Sequence, residues 1–281
     1  MNEPHKLALP GATCMIWPDG PEWRGRRTGT IGLLAIEDPV AGADLVTQAC
    51  ESLADAGCET VLAPMDGDTW HSYRVVLASD GSPPYLLEPV SGPHDLALLR
   101  GAGFEVLEEY ASARMPVPAP GSPEPLVDGI QITQWDGQGA EQLIARLHAY
   151  AASSFADKLF FKPLDMAGFR SLYEPLLALL DPRLVLFAHD DGGALAGFLF
   201  GFPDHAQGPQ PTQAILKTYA ATRHGVGRLL AWHFHERVRQ LGYVQVVHAL
   251  MHSANVSLDS SKLFGAEIFR RYGVLGKTLT E

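Results

Sequence analysis

Long apolar runs, paired cysteines and a surplus of positive charge are what this sequence lacks, and each absence excludes something. No window approaches about 18 consecutive apolar residues, so no spanning helix is predicted. The opening segment MNEPHKLALPGATC has no charged stretch followed by a long apolar one, and a secretory signal is not expected. Cys14, Cys50 and Cys58 show no C-x-x-C spacing, which points to a reducing compartment and gives no metal signature. The formal net charge of −11 argues against nucleic acid as a partner and suits a cationic or amine substrate. These readings together expect a cytoplasmic chain, monomeric or homodimeric, with no metal and no membrane partner.

What is present is core-forming material in quantity. The 281 residues are enough for two domains of ordinary size, and 46% of them are apolar. The stretch Gln213–Gly242 carries the most information. It reads as a strand over Gln213–Ala221, a tight loop containing Gly225-Val226-Gly227, and a helix whose first turn holds Arg228. Such a loop aims unpaired backbone N–H groups and the positive end of a helix dipole at one point, which favours a phosphate. Val226, Leu229, Leu230, Phe234, Val238 and Leu241 recur at helical spacing and form one apolar stripe. A strand over Tyr243–Met251 follows, then a break at His252–Ala254, a short helix opened by Asn255, Gly265 and a last strand.

In this order of elements the chain resembles the GNAT acyltransferases, which move acetyl from acetyl-CoA to an amine. Gly225 and Gly227 fill the two glycine positions of the family's Q/R-x-x-G-x-G/A motif, while Thr222 stands where Gln or Arg is usual. The resemblance implies acetyl-CoA as co-substrate and direct attack of the amine on the thioester. It implies a cofactor-binding loop that includes Gly225, with pyrophosphate donors at Val226, Gly227 and Arg228, and main-chain pairing of pantetheine along Tyr219, Ala220 and Ala221. Asn255 matches a family Asn at the start of the helix after the fifth strand; a simple helix cap is the plainer reading. Counting back four residues from Gly265, where many members carry a general-acid Tyr, lands on Ser261.

Sliding the sequence against itself by 185 positions aligns Ile31–Ala63 with Leu216–His248, and an offset of 162 aligns Gly103–Tyr110 with Gly265–Tyr272. Periods this long indicate duplicated domains. The expected fold is α/β (α+β), with two tandem GNAT-like domains. Each is a mixed, mostly antiparallel sheet with helices on both faces. The first, 1–113, is partial, a proline-rich linker covers 114–128, and the acetyltransferase copy covers 129–281. The N-terminal copy has Val40 where the other has Gly225, and Glu37, Asp38 and Asp44 in and after its loop would repel a pyrophosphate. Only about 30 residues precede its Ile31 strand, too few for the family's opening strand and two helices. In the second copy, helices are predicted over Ala140–Phe155 and Pro163–Leu180, and a hairpin over Leu184–Phe200 turning at Asp190–Gly193.

Three residues are candidates for proton transfer. His248 has the pKa range of a base but also suits a core position, and Asp204 reads either as a base or as a turn former. Ser261, with Ser257 and Ser260 beside it, stands in the general-acid region. The polar, aromatic loop Pro64–Arg74 reads in two ways. It could be an acceptor-pocket wall, with Trp70 and Tyr73 as faces and Asp66, Asp68 or Glu88 as an amine partner. It could equally be a packed connection with Asp–Arg pairing. A non-catalytic acyl-CoA-binding or interaction module, and an enzyme using a longer acyl-CoA, remain the rival readings.

Overall fold

The structure is a computed structural model that describes residues 3–121, 123–154 and 158–279. Met1, Asn2, Ser122, Phe155, Ala156, Asp157, Thr280 and Glu281, which the ranges above include, lie outside them. Twelve strands form one continuous sheet. The first half contributes β1 (His5–Leu9), β2 (Ala12–Trp17), β3 (Thr28–Ile36), helix α1 (Pro39–Asp55), β4 (Thr60–Ala63), β5 (Val75–Ser79), α2 (Asp95–Gly101) and β6 (Glu105–Pro116). The second contributes β7 (Ile130–Gln134), α3 (Ala140–Ser154), α4 (Met166–Tyr173), β8 (Val185–Asp190), β9 (Leu195–Pro203), β10 (Gln213–Ala221), α5 (Val226–Gln240), β11 (Gln245–His252), α6 (Val256–Leu263) and β12 (Glu267–Thr278).

The two repeat offsets reappear as matching elements. An offset of 185 carries β3 onto β10 and the start of β4 onto the start of β11, and 162 carries β6 onto β12 end to end. The first half has the β1–β2 hairpin that corresponds to β8–β9, but no strand or helices before it among the described residues. The strand order is β1-β2-β3-β4-β12-β6-β11-β10-β9-β8-β7, with β5 paired to β12 outside that path. The halves therefore exchange their last strands. β6 of the first half pairs with β11 of the second, and β12 of the second pairs with β4 of the first.

Helix α5 lies close on the sheet because β9 offers glycine beneath it. A Cβ on Gly201 would sit 2.3 Å from the Phe234 ring, and one on Gly197 would sit 3.1 Å from Val226 and Leu230. The predicted stripe of α5 forms the centre of one core with Leu199, Ala214 and Leu216. On the opposite face, Leu143, Ile144 and Leu147 of α3 and Phe169 of α4 pack on Phe187, Phe198, Phe202 and Ile215. The helix expected over Pro163–Leu180 is shorter than the pattern suggests. It ends at Tyr173 and continues as a 3-10 turn over Glu174–Leu179, where Pro175 supplies no N–H for the α-helical ladder. Phe160 from the second half packs with Trp23, Leu62, Met65 and Val274, covering part of the first half's sheet that has no helix of its own. Strand β6 runs three residues into the proline-rich segment, through Arg114, Met115 and Pro116. Val117 and Val127 then pack against the α5 core, so the connection lies along the second half.

Candidate active site

Strands β10 and β11 run parallel only from Gln213↔Gln245 to Leu216↔His248. Beyond that point they part. A bulge between Leu216 and Thr218 turns β10, and another between His248 and Met251, with Leu250 at φ 55°, turns β11. β10 keeps its bonds to β9 as far as Ala221↔Gly197, so the edge of Thr218–Ala221 that faces β11 is left without a strand partner. This free edge includes Tyr219, Ala220 and Ala221, the residues expected to pair with pantetheine.

At the far end of the cleft α5 begins. Its cap, Gly225, has φ 83°, a left-handed conformation that favours glycine, and supplies no side chain to the helix end. The first intrahelical bond is Leu229 N–H to Gly225 O at 3.0 Å; Val226 N–H reaches Arg223 O only at 3.4 Å. First-turn N–H groups of Gly227 and Arg228 have no acceptor inside the helix and point at the cleft mouth. Gly227 is small because the Tyr219 ring lies over it, 3.1 Å from where a Cβ would be. The Tyr219 hydroxyl reaches across the cleft to Ser257 on α6, and burial raises its pKa, so it stays protonated at neutral pH. Asn255 caps α6 without a side-chain bond to the helix, and its exposed side chain is free to face a ligand. Arg228 is exposed at the same end.

The equivalent cleft in the first half is occupied by protein. β3 and β4 also pair only over three residues, Thr28↔Thr60 to Thr30↔Leu62. There, however, the Asp66 carboxylate accepts from Leu33 N–H at 2.8 Å, filling the gap between the strands. At the helix end the Asp38 side chain accepts from Val40 N–H at 2.9 Å, taking a donor that a phosphate would need. Asp66 and Asp38 thus close both ends of this cleft with carboxylates.

The three proton-transfer candidates are all buried. His248 and Ser261 are together: His248 Nδ1 is 2.7 Å from Ser261 Oγ, and its Nε2 is 2.9 Å from Nε2 of His235 on α5. All three are buried under α5 and α6. Burial, and then the neighbouring His235, pushes His248 down to about 3; burial pushes His235 down to about 4. Asp204 accepts from Gln213 Nε2 at 2.7 Å, from Ala206 N–H and, across the halves, from Leu86 N–H at 2.9 Å.

The Pro64–Arg74 loop meets the second half directly. Trp70 Nε1 donates to Lys162 O at 2.8 Å and its ring packs edge-on against Phe161 and Phe169. Asp68 accepts from Trp70 and His71 N–H, and Arg74 is stacked on tyrosines rather than paired with an aspartate. Sequence reasoning had no access to Lys217, which sits in the β10 bulge with its Nζ donating to Leu87 O at 3.0 Å. The two surface hollows around Trp135 and Asp136 lie at the β7–β8 edge, away from this cleft. Among the described residues no cluster of His, Cys, Asp and Glu could hold a metal ion, and no helix is long and apolar enough to cross a membrane.

The fold recurs in solved structures. A GCN5-related N-acetyltransferase from Sphaerobacter thermophilus superposes with a TM-score of 0.58 at 13% identity, over 100% of this chain and 82% of its own. The chain has the GNAT fold. A tandem GNAT protein from the clavulanic acid biosynthesis pathway matches with a TM-score of 0.57 at 16% identity, over 96% of this chain and 79% of its own. A GCN5-related N-acetyltransferase from Anabaena variabilis matches with a TM-score of 0.52 at 11% identity, over 95% of this chain and 60% of its own. No protein-family model matches the sequence, and no curated protein does. Within this fold the β10–β11 divergence is open beside the α5 N-terminus, and the β3–β4 divergence is filled by Asp66.

Proposed function

We propose that the chain transfers an acetyl group from acetyl-CoA to a primary amine by direct attack on the thioester. The acting copy is 129–281 and the copy at 1–113 is degenerate. The observation that carries this reading is the free edge of Thr218–Ala221 beside an uncapped helix end at Gly225–Arg228. Pantetheine amides would add to that edge as a strand does, and the pyrophosphate would take the first-turn N–H groups with Arg228 as counter-charge. Held this way, the thioester lies at the β10 bulge, where an amine entering between the halves can approach it. In this reading the Tyr219 hydroxyl, kept protonated by burial and bonded to Ser257, would be the donor for the departing thiolate. Asn255 would contact the cofactor from α6.

His248 and Ser261 serve this reading as core-forming groups, since both His248 nitrogens are occupied. Asp204 serves as a tie between the halves. The rival, an acyl-CoA-binding protein without turnover, is favoured by one observation: Ser261, at the family's general-acid position, is buried against His248. Calorimetry with acetyl-CoA, followed by thiol-release assays across an amine panel, tests both. Binding with no thiol release for any amine supports the rival, and no binding removes both.

A further inference from the structure

Near the β10 bulge, where the halves meet, three cations lie around one carboxylate, and only one of them is paired with it. Glu88 is fully buried and is bonded to Arg270, to the Tyr272 hydroxyl and to Tyr85 N–H. That leaves Arg74 and Lys217. The Arg74 guanidinium lies 3.8 Å from the Tyr73 ring centre and 4.0 Å from that of Tyr110, and it also bonds to the Tyr73 hydroxyl. Its Nε is buried with no hydrogen-bond partner. Lys217 donates to one backbone carbonyl, Leu87 O. Neither cation has a carboxylate within ion-pair distance among the described residues, and Glu108, the next acid along, is taken by His252. In a chain of net charge −11, two cations left unpaired between packed halves are a costly arrangement.

Resting on the acyl-transfer reading above, we propose that Arg74 and Lys217 form an anion site for the acceptor, which is an amine that also carries a carboxylate. Lys217 stands in the bulge where β10 leaves β11, beside the proposed thioester position. A carboxylate held there places an amine on the same small molecule next to the carbonyl carbon. Tyr73 and Tyr110, with their rings perpendicular, flank the guanidinium on two adjacent sides and leave its Nε without an acceptor, which a planar carboxylate would supply. The two cations are contributed by different halves, so the acceptor site exists only when the halves are joined. This gives the first half a function although its own cofactor cleft is closed. Burial, and then the charge of Arg74, holds the Lys217 ammonium down to about 7; a bound carboxylate would keep it protonated.

The test is calorimetry on the full chain, without acetyl-CoA, using amino acids and the amines left when their carboxylate is removed. At least one amino acid should bind, and bind ten-fold or more tightly than its decarboxylated amine. Lys217→Met should abolish that difference and Lys217→Arg should restore part of it. Acetyl-CoA affinity, measured separately, should not change in either variant. Because Arg74 is enclosed, Arg74→Gln is read only alongside Lys217→Met and a melting curve. The proposal is overturned if no amino acid binds, if acid and amine bind alike, or if Lys217→Met leaves the preference intact. A chain that neither binds nor turns over acetyl-CoA would sink the acyl-transfer reading while leaving the acid–amine comparison interpretable.

Discussion

Tyr110 and Tyr272 face each other as direct partners in the antiparallel ladder between β6 and β12. They are also the same residue of the repeat, 162 positions apart. A residue can pair with its own repeat equivalent only where an approximate two-fold axis crosses the ladder, so the axis of the duplication passes between these two tyrosines. Around it the polar groups differ. Tyr272 bonds to Glu88 and Ser112, while Tyr110 stacks on Arg74 and His252.

The cofactor loop gives the first prediction. Gly227→Glu should set a carboxylate against the pyrophosphate and weaken acetyl-CoA binding at least ten-fold, about 1.4 kcal/mol. The Tyr219 ring 3.1 Å from the new Cβ must also shift. The proper control in the first half is Val40→Glu, since Val40 is exposed and matches Gly225 in the repeat. Gly42, the counterpart of Gly227, would bring a Cβ to 2.7 Å from Ile36 and Leu98, so a change there reports folding instead. Isothermal titration of both variants decides the matter: equal weakening by Val40→Glu would mean that the copies are assigned the wrong way round.

Asp66 gives the second. Asp66→Ala removes the acceptor of Leu33 N–H inside the closed cleft and should cost about 1–3 kcal/mol in chemical denaturation, with acetyl-CoA affinity unchanged. A gain of a second acetyl-CoA site in this variant would show that Asp66 was the only barrier to binding there.

The third concerns pH. His235 and His248 titrate in the folded chain near 4 and 3, below their ordinary value of 6.5. Both pKa values are depressed, so the unfolded chain takes up protons first as pH falls. Stability from this pair is complete above about pH 6.5 and is lost progressively below it, by on the order of a few kcal/mol at pH 4. His235 Nδ1 has no partner, which places its proton on Nε2, donating to His248, whose own proton then sits on Nδ1 towards Ser261. His248→Ala should lower the melting temperature and leave the acidic limb of the pH–rate profile in place. A flattened limb with unchanged melting would return His248 to the mechanism as base.

The fourth concerns the division of the chain. A fragment beginning at Asp128 keeps every proposed cofactor contact but loses β6 and β4, the partners of β11 and β12. It should aggregate or melt well below the full chain, because β11 is bared along one edge and β12, which pairs only with β4, β5 and β6, is left with no strand partner. A soluble fragment that binds acetyl-CoA as tightly as the full chain would refute the shared sheet as a requirement.

Much of the second half was legible because its signals are local. The stripe of α5, the Asp190–Gly193 turn and the glycines at Gly225 and Gly227 each act within one or two elements. The repeat was legible too, and β6 and β12 match end to end at its offset. What local patterns did not carry was pairing between distant segments. Nothing about RMPVPAPGSPEPLVD shows that β6 pairs across to β11, since an exchanged strand and a returning one have the same alternation. The helix over Pro163–Leu180 was overextended because the apolar spacing persists through Pro175 while the backbone bonding does not. His248 was ambiguous for a similar reason: a histidine in an apolar strand is the same letter whether it faces a cleft or a second histidine. Arg74 and Lys217 lie far apart in the chain, and only the folded sheet places them together.

The exchanged strands also order events during synthesis. Strand β4 cannot acquire its outer neighbour until β12 has been made, and about 200 residues separate Ala63 from Glu267. The first half therefore leaves the ribosome with an unfinished sheet and must keep that edge from sticking to other nascent chains while the second half is translated. Translation speed and chaperone supply are therefore expected to bear on the yield of such a chain as well as the final stability of the fold. Slowing elongation across the second half should lower the soluble fraction without altering the protein that survives.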